Sequence, residues 1–301
     1  MVYPRFGLCA SPTARRAWRR RHPQGRIPTG KHPSGRPGVP VGEILGPDGN
    51  PPAHRPVVLQ VNIEIWSDVA CPWCYIGLHR FEAALASFEH RDDVTVRLRS
   101  FQLDPTLPES FAGSEIDYLA ATKGLDRATV VAMTERVAAV GAADGLPFDF
   151  AQLVVANSRR AHRLLHLAQH RDASGDLARD LKQALLTAHF AEGRSIWDAD
   201  TLVELAGALG LPEAEVRAAL DSAELDAEVS ADIERAGRLG IHAVPTFVFE
   251  GTYGISGGQA VEVFAGALDQ VWRELHPQPL ITIPGSADNQ ACGVDGCAPV
   301  S

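Results

Sequence analysis

"SDVACPWCYIG", residues 67–77, lies between a run of β-branched residues and a pattern typical of an amphipathic helix. Within it, Cys71 and Cys74 have the C-x-x-C spacing found in redox-active dithiols, in halves of zinc sites and in pairs of inert buried cysteines. The chain has only five cysteines in 301 residues, so each can be considered in turn. The elements on either side of the motif decide among the three interpretations.

The flanking stretches predict a strand, a helix and a second strand. Val57–Ile65 and Asp93–Phe101 alternate between apolar and polar residues, as strands do. Between them, the apolar residues of Cys71–Glu89 recur at spacings of three and four, which predicts a helix. Because a helix of this length can cross from one strand to the next, the β-α-β order predicts a parallel pair.

The rest of the chain is helical before a short return to strands. Residues 114–239 are rich in Ala and Leu at helical spacing, with breaks at Gly or Pro. Pro245–Glu250 then begins a predicted hairpin, and an amphipathic helix follows it. We therefore predict an α/β unit interrupted by a large α-helical insertion subdomain. The predicted parts are a disordered extension at 1–56, the α/β unit at 57–112 and 225–275, the insertion at 113–224, and a flexible tail at 276–301.

The first 56 residues differ sharply in composition from the rest. They hold ten Lys and Arg against two Asp and Glu, together with eleven prolines and eight glycines. Such a segment buries too little apolar area to offset its conformational entropy, so we expect disorder. Its arginines are not followed by the apolar stretch of an export signal. The simplest expectation is an extension that arises from a misassigned start codon.

The acidic remainder of the chain limits the classes of partner. It carries eighteen Lys and Arg against thirty-five Asp and Glu, which argues against nucleic acid. No stretch approaches the roughly 18 consecutive apolar residues that predict a membrane-spanning helix. We expect a cytoplasmic protein that acts on neither nucleic acid nor membranes. In that compartment cysteines are more often catalytic, metal-binding or inert than joined in structural disulfides.

The position of the cysteine pair favours redox chemistry. Cys71 follows a predicted strand and opens a predicted helix, whose N-terminus stabilises a thiolate. Pro72 suits the first helical turn, where an N–H group has no partner. Cys74 falls on the next turn, within reach of a disulfide. This arrangement predicts an exposed attacking sulfur and a shielded resolving sulfur, which exchange disulfides through a mixed disulfide.

A zinc site would need a second pair of ligands. That pair would have to be Cys292 and Cys297, which are separated by four residues in the predicted tail. The same two thiols could instead exchange electrons with the first pair, because a flexible tether raises their effective concentration. They could also be idle.

A proline far downstream strengthens the redox interpretation. Pro245 begins a predicted strand, where its missing N–H group is tolerated. If the Val244–Pro245 peptide bond is cis, the backbone beside it is turned and exposed. It could then pair with an extended substrate next to the cysteines.

Four stretches together resemble one family: IEIWSDVACPWCYIG, NSRRAHRLLHLA, EGRSIWDADTLVELA and VPTFVFEGTYGISGGQ. They resemble the DsbA-like thioredoxin-fold oxidoreductases, and within them the FrnE-type branch, over about residues 62–272. The resemblance implies a thioredoxin-like fold with a helical insertion and the activity of a protein disulfide oxidoreductase or isomerase. Some FrnE-type proteins also carry a C-terminal C-x4-C pair, and Cys292 and Cys297 match its spacing, which makes them a possible second redox pair.

The resemblance assigns roles to individual residues. Cys71 is the nucleophile and Cys74 the resolving thiol. Val244 and Thr246 flank Pro245 in a loop that faces the cysteines and binds substrate. Pro72 and Trp73 support the site, with Trp73 providing apolar contact area.

Two rival functions stay open at this point. Kappa-type glutathione transferases and 2-hydroxychromene-2-carboxylate isomerases resemble this fold but bind glutathione and usually carry serine at the first motif position. A zinc-binding interaction module is the second rival. For the oxidoreductase we expect protein thiols as substrates, a reducing or oxidising partner system, no metal and no organic cofactor beyond glutathione as a reductant or co-substrate. A homodimer is compatible with this function.

Four other residues are weaker candidates. Asp68 lies three residues before Cys71 and is interpreted as a cap at the start of the helix, with tuning of proton transfer as the alternative. His162 and His166 have a spacing that can hold a metal, but packing or surface roles are expected. Cys9 is interpreted as a stray thiol.

Overall fold

The structure, a computed structural model, describes residues 59–278 in full and the backbone of residues 290–293 and 296–299. The predicted extension at 1–56 and Cys9 lie outside the described residues. Among the helices described, none is long and apolar enough to cross a membrane.

The main sheet has four strands in the order β2-β1-β3-β4. They are β1 (Val61–Ser67), β2 (Val94–Ser100), β3 (Thr246–Phe249) and β4 (Tyr253–Ser256). The predicted parallel pairing of β1 with β2 is confirmed, and β3 runs antiparallel to both β1 and β4. Since β3 lies directly beside β1, the start of β3 comes to the same end of the sheet as the segment that follows β1.

Helices cover the sheet and fill the predicted insertion. Helix α1 (Pro72–Ser87) makes the crossover from β1 to β2 and packs against the last helix, α9 (Val261–Leu275). The helices between β2 and β3 are α2 (Glu115–Lys123), α3 (Arg127–Ala143), α4 (Arg159–Arg171), α5 (Asp176–Phe190), α6 (Ala199–Ala208), α7 (Glu213–Leu220) and α8 (Ala223–Leu239). The mixed α/β fold with a large helical insertion is as predicted.

The apolar core runs without interruption from the sheet into the inserted helices. Ile63 and Ile65 of β1, Leu164 of α4 and Leu185 of α5 belong to one buried cluster. Helices α4 and α5 lie against α1 or β2 as well as against each other. The insertion therefore shares its core with the α/β unit, although the sequence suggested a subdomain of its own. The predicted boundaries stay predictions.

A group of charged side chains ties β1 and β2 to helix α8; we call Glu64, Arg99 and Asp232 the paired cluster. The Arg99 guanidinium donates to Glu64 from Nε at 2.8 Å and to Asp232 Oδ1 from Nη1 at 2.9 Å. Asp232 Oδ2 also accepts the backbone N–H of Ser100 at 3.0 Å. Charges buried in this way are tolerated because each is matched by an opposite charge and by hydrogen bonds.

The backbone of the tail forms a short antiparallel hairpin that the sequence analysis did not anticipate. Strand β5 (Gln290–Gly293) pairs with β6 (Gly296–Pro299), and the register places Cys292 opposite Cys297. Directly opposed residues in such a pair have Cα atoms about 4.5–5.5 Å apart, which lies within the range of a disulfide.

Candidate active site

Cys71 is the residue that precedes the first turn of α1. Its backbone is extended, and Pro72 begins the helix without requiring an N–H partner. The Cys71 thiol is only 4% exposed and donates to the carbonyl oxygen of Val244 at a sulfur–oxygen distance of 3.6 Å. The sulfur therefore lies at a helix N-terminus and against the segment that leads into β3. The prediction of an exposed attacking sulfur is wrong, because this contact with the segment before β3 buries Cys71.

The loop before β3 lies where the sequence analysis expected it. The Val244–Pro245 peptide bond is cis, and the Thr246 hydroxyl donates to the carbonyl of Ala243 at 2.8 Å. Helix α1 approaches this loop closely at Gly77, where an added Cβ would lie 2.8 Å from Pro245 Cγ. A side chain at position 77 would push the loop away from the helix that carries the cysteines.

Cys74 lies one turn further along α1 and is 1% exposed. Both cysteines are free thiols. Burial raises the pKa of the Cys74 thiol well above its usual range, and the hydrogen bond with Cys71 raises it further. The positive charge of Lys182 opposes this rise. Cys74 is therefore the shielded member of the pair, and its proton is held tightly until a base takes it.

Asp68, in the connection between β1 and α1, is fully buried and ionised. Its carboxylate accepts the backbone N–H groups of Ala70 at 3.2 Å and Leu103 at 2.7 Å, and lies 3.2 Å from Nε2 of His162. Although burial raises the pKa of Asp68, the hydrogen bond with His162 and the backbone N–H of Leu103 bring it down to about 2. Burial lowers the pKa of His162, so at neutral pH a neutral imidazole donates to this carboxylate.

Lys182, on α5, is the most unusual buried group near the cysteines. Its side chain is 1% exposed, and its Nζ has no hydrogen-bond partner among the described residues. It lines a narrow void with Ser67, Ser100, His162 and others, and that void has no room for a water molecule. Burial lowers the pKa of Lys182, opposed by the charges of Cys74, Asp68 and Cys71. We call Asp68, Cys71, Cys74, His162 and Lys182 the thiol cluster.

A cavity of about 690 Å³ opens beside Cys71. One wall is the cysteine motif and the segment before Pro245, and the opposite wall is provided by α2 and α3 of the insertion. The half-exposed side chains of Trp73, Leu103 and Met133 line it. This volume is typical of sites that enclose a small molecule or a few side chains of a peptide.

Two titratable groups on the cavity wall have shifted pKa values. Burial raises the pKa of Glu115, the first residue of α2, to about 7. Burial lowers the pKa of His189, on α5, to about 4. At neutral pH the histidine is therefore neutral, and Glu115 is close to half ionised.

The structure brings most of the predicted site residues together. The cavity is lined by Cys71, Pro72, Trp73 and Val244, and Pro245 and Thr246 follow directly. The side chains of Cys292 and Cys297 lie outside the described residues, so a second redox pair stays a prediction. Their backbone pairing is compatible with it.

The weaker candidates have mixed outcomes. The interpretation of Asp68 as a helix cap is wrong, because its backbone partners Ala70 and Leu103 both lie outside the first turn of α1. His162 and His166 are buried, and His166 contacts Ser100 rather than His162. Within the described part of the chain, no group of three or more His, Cys, Asp or Glu side chains is arranged to hold a metal.

Sequence reasoning missed Lys182 and His189 entirely. Both lie on the buried face of α5, together with Ala178 and Leu185 at helical spacing. A lysine at an otherwise apolar position of an amphipathic helix was the available signal. On its own that signal is weak, because lysines can extend their stems across apolar surface to reach water.

Comparison with known proteins gives consistent results. A model of the DSBA-like thioredoxin domain matches residues 62–269, well over half of the chain. The crystal structure of the probable DsbA oxidoreductase SCO1869 from Streptomyces coelicolor is 41% identical, covers 80% of this chain and 100% of that one, and superposes with a TM-score of 0.66. The uncharacterized protein YwbO of Bacillus subtilis (strain 168) is 25% identical over 70% of this chain and 96% of its own length.

A more distant structure shares the fold. The cytosolic disulfide reductase DsbM from Pseudomonas aeruginosa with GSH is 21% identical, covers 70% of this chain and 99% of its own, and has a TM-score of 0.51. The family match and the Streptomyces relative establish the assignment that the sequence motifs suggested. The chain belongs to the DSBA-like thioredoxin family and is an oxidoreductase of that family.

Proposed function

We propose that this member of the DSBA-like family exchanges disulfides with cysteines of proteins or peptides through Cys71 and Cys74. The observation that carries the proposal is the unequal placement of the two thiols. Cys71 lies at a helix N-terminus beside an open cavity, whereas Cys74 lies behind it with a raised pKa. Attack by one sulfur and resolution by the other require this asymmetry.

The reaction proceeds in two exchanges. The Cys71 thiolate attacks a substrate disulfide, forms a mixed disulfide and releases one substrate thiolate. The Cys74 sulfur then attacks Cys71, releases the second substrate thiolate and leaves a Cys71–Cys74 disulfide. The substrate gains two electrons and the protein loses two. The reverse sequence oxidises a substrate dithiol, and the partner system that resets the protein selects the direction. The residues proposed to support these steps are Pro72, Trp73, Val244, Pro245 and Thr246.

The lining of the cavity supports a substrate with apolar groups near its cysteine. Trp73, Leu103 and Met133 present half-exposed apolar surface next to the reactive sulfur. Side chains that flank a cysteine in an unfolded or extended polypeptide would bury area there, and each such contact stabilises the mixed disulfide.

The rival functions would use different residues of the chain. A glutathione-dependent transferase or isomerase needs only one group at the first motif position, whereas this chain retains both thiols. Glutathione remains part of the proposal as a reductant or co-substrate. A zinc-binding module would draw on Cys292 and Cys297, and metal content of the purified protein separates it from the redox function. Cytoplasmic action and a homodimer are further parts of the proposal.

The decisive experiment traps the mixed disulfide. We expect Cys74→Ser to accumulate disulfide-linked adducts with cell proteins, since the resolving sulfur is missing, and Cys71→Ser to accumulate none. Both variants are made with Cys9, Cys292 and Cys297 replaced by serine, so that no other thiol contributes. Adducts are counted on non-reducing gels after an acid quench and identified by mass spectrometry.

Each alternative result has a definite meaning. Equal trapping by the two variants, or trapping by neither, contradicts the proposed roles. Glutathione as the sole adduct of Cys74→Ser favours the glutathione-dependent rival. Stoichiometric zinc that is lost with Cys292→Ser favours the interaction module.

A further inference from the structure

One carboxylate on the wall of the cavity beside Cys71 has no partner in the described part of the chain. Glu115 is the first residue of α2, and its half-buried side chain lines the cavity together with apolar residues such as Leu119 and Phe150. No hydrogen bond or ion pair joins it to another described residue, and burial is the cause of its raised pKa. A carboxylate placed in this way is costly unless a cation or a hydrogen-bond donor meets it.

The two other carboxylates on the cavity lining are already matched. Asp104 accepts hydrogen bonds from the hydroxyl groups of Thr106 and Tyr118, each at 2.7 Å. Asp68 accepts backbone N–H groups and is bonded to His162. Among the described carboxylates that line the cavity, Glu115 is therefore the one left for a ligand.

The basic residues on the same lining do not form an ion pair with Glu115. Lys123 is exposed at the far end of α2, eight residues and about 12 Å along the helix axis from Glu115. His242 is also exposed. His189 is buried and neutral, because burial lowers its pKa to about 4. Its Nδ1 has no hydrogen-bond partner among the described residues, so the wall holds a second polar group that a ligand can reach or replace as packing partner.

We propose that Glu115 selects substrates with a lysine or arginine close to the reactive cysteine, by pairing with that cationic side chain inside the cavity. This inference rests on the proposed function. Cys71 and Glu115 line one cavity of about 690 Å³, which has room for only a few side chains of a peptide. In an extended chain, side chains two positions apart point to the same face, roughly 7 Å from each other. A basic residue two positions from the substrate cysteine therefore enters the cavity on the same side as the reacting sulfur.

The same carboxylate disfavours anionic substrates. A glutamate or aspartate beside the substrate cysteine would bring a second negative charge into a largely apolar cavity, where like charges repel more strongly than in water. Glutathione carries two carboxylates and one ammonium group, so Glu115 should also disfavour it relative to a basic peptide. The inference thus narrows the proposed substrates to polypeptide cysteines in a basic context.

Three matched peptides isolate the effect of charge. They are Ac-X-Ala-Cys-Ala-X-NH2 with Lys, Gln or Glu at both X positions, each joined through its cysteine to thionitrobenzoate. The Cys71 thiolate attacks the peptide sulfur, the peptide–thionitrobenzoate disulfide breaks, and the coloured thionitrobenzoate thiolate leaves as the better leaving group. The protein has serine at positions 9, 74, 292 and 297, so the reaction stops at the mixed disulfide between Cys71 and the peptide. Stopped-flow absorbance gives a second-order rate constant for each peptide.

We expect the parent protein to react about fivefold faster with the Lys peptide than with the Gln peptide, the upper end of what an ion pair near a surface contributes. Glu115→Gln should lower this Lys-to-Gln ratio about fivefold, and Glu115→Lys should reverse the preference in favour of the Glu peptide. Glu135→Gln is the matched control, because Glu135 is exposed on α3 and does not line the cavity. It makes the same change in net charge and should alter the ratio by less than about twofold.

Three results overturn the inference. They are equal rates of the parent protein with the Lys and Gln peptides, a ratio that neither Glu115 variant changes, or the same change of ratio in Glu135→Gln. Failure of the proposed function is a separate result, because then none of the three peptides releases thionitrobenzoate by reaction with Cys71. Rapid and equal release from all three leaves the exchange chemistry in place and contradicts the role of Glu115 alone.

Discussion

Two groups of charged side chains are buried near the carboxyl ends of β1 and β2, and their internal balance differs. In the paired cluster, Arg99 lies between two carboxylates, and Asp232 also accepts a backbone N–H group. In the thiol cluster, Asp68 is satisfied in the same way by backbone donors and His162, whereas Lys182 Nζ has no hydrogen-bond partner among the described residues.

The two clusters therefore differ in how completely their charges are matched. A fully matched charge has little reason to change its protonation state, because each change would break several bonds at once. The paired cluster therefore ties the two strands to α8, whereas the thiol cluster includes a lysine whose Nζ lacks such a match among the described residues.

The largest expected effect on stability comes from breaking the paired cluster. Asp232→Asn removes a charge that Arg99 faces and weakens the acceptor of the Ser100 N–H group. We expect the free energy of unfolding to fall by about 3 kcal/mol, as for other buried pairs that lose one partner. Urea unfolding measures this change. Glu213→Gln, which breaks an exposed pair with Arg217, is the control and should cost at most ~0.5 kcal/mol.

The disulfide-exchange rate of the same variant tests the division of roles. If Asp232→Asn keeps its fold at the assay temperature, its release of thionitrobenzoate from Ellman's reagent should match the wild-type rate within about twofold, since the hydrogen bonds within the paired cluster do not involve Cys71 or Cys74. A large loss of exchange rate in folded Asp232→Asn protein would contradict the claim that the paired cluster contributes to stability and not to disulfide exchange.

A smaller effect is expected in acid from Asp68. Its pKa is lowered from 3.8 to about 2, so the folded state binds fewer protons than the unfolded state between these values. The stability that this carboxylate contributes is therefore complete above pH 3.8 and is lost as the pH falls toward 2. We expect the difference in unfolding free energy between wild type and Asp68→Asn to shrink by about 2 kcal/mol over that range. A difference that is independent of pH would show that the carboxylate charge is not stabilised by its partners.

The smallest effect on stability is expected for a neutral hydrogen bond between α1 and α5. Tyr75→Phe removes the hydrogen bond between α1 and Thr187 of α5 without opening a cavity. We expect a loss of about 1 kcal/mol in urea unfolding, typical of a neutral hydrogen bond. A loss as large as that of Asp232→Asn would mean that the charge pairing of Asp232 contributes no more to stability than a neutral hydrogen bond does.

Much of the fold could be predicted because its signals are local. Alternation in β1 and β2, helical spacing in α1 and the Pro72 start each depend on a few neighbouring residues. The paired positions of Cys71 and Cys74 on one helix follow from the same periodicity. Even the placement of Pro245 opposite the cysteines was accessible, through the resemblance of the combined motifs to one family.

The residues that the sequence analysis missed depend on contacts between distant segments. Asp68 was interpreted as a helix cap because its neighbours in sequence suggested it, yet Leu103 and His162 decide its surroundings. Lys182 looked like one charge on an amphipathic helix until α5 packed against α1. The continuous core likewise could not be inferred from helical spacing, which identifies the face that is buried but not the partner that covers it.

The sequence by itself therefore determined the family, the order of the elements and the identity of the two thiols, because these follow from local periodicity and from short motifs. The tertiary structure decided that both thiols are buried and which buried charges are matched. These properties arise from burial and from contacts between residues far apart in the sequence, as between Asp68 and His162, and free energies of desolvation exist only once the chain has packed.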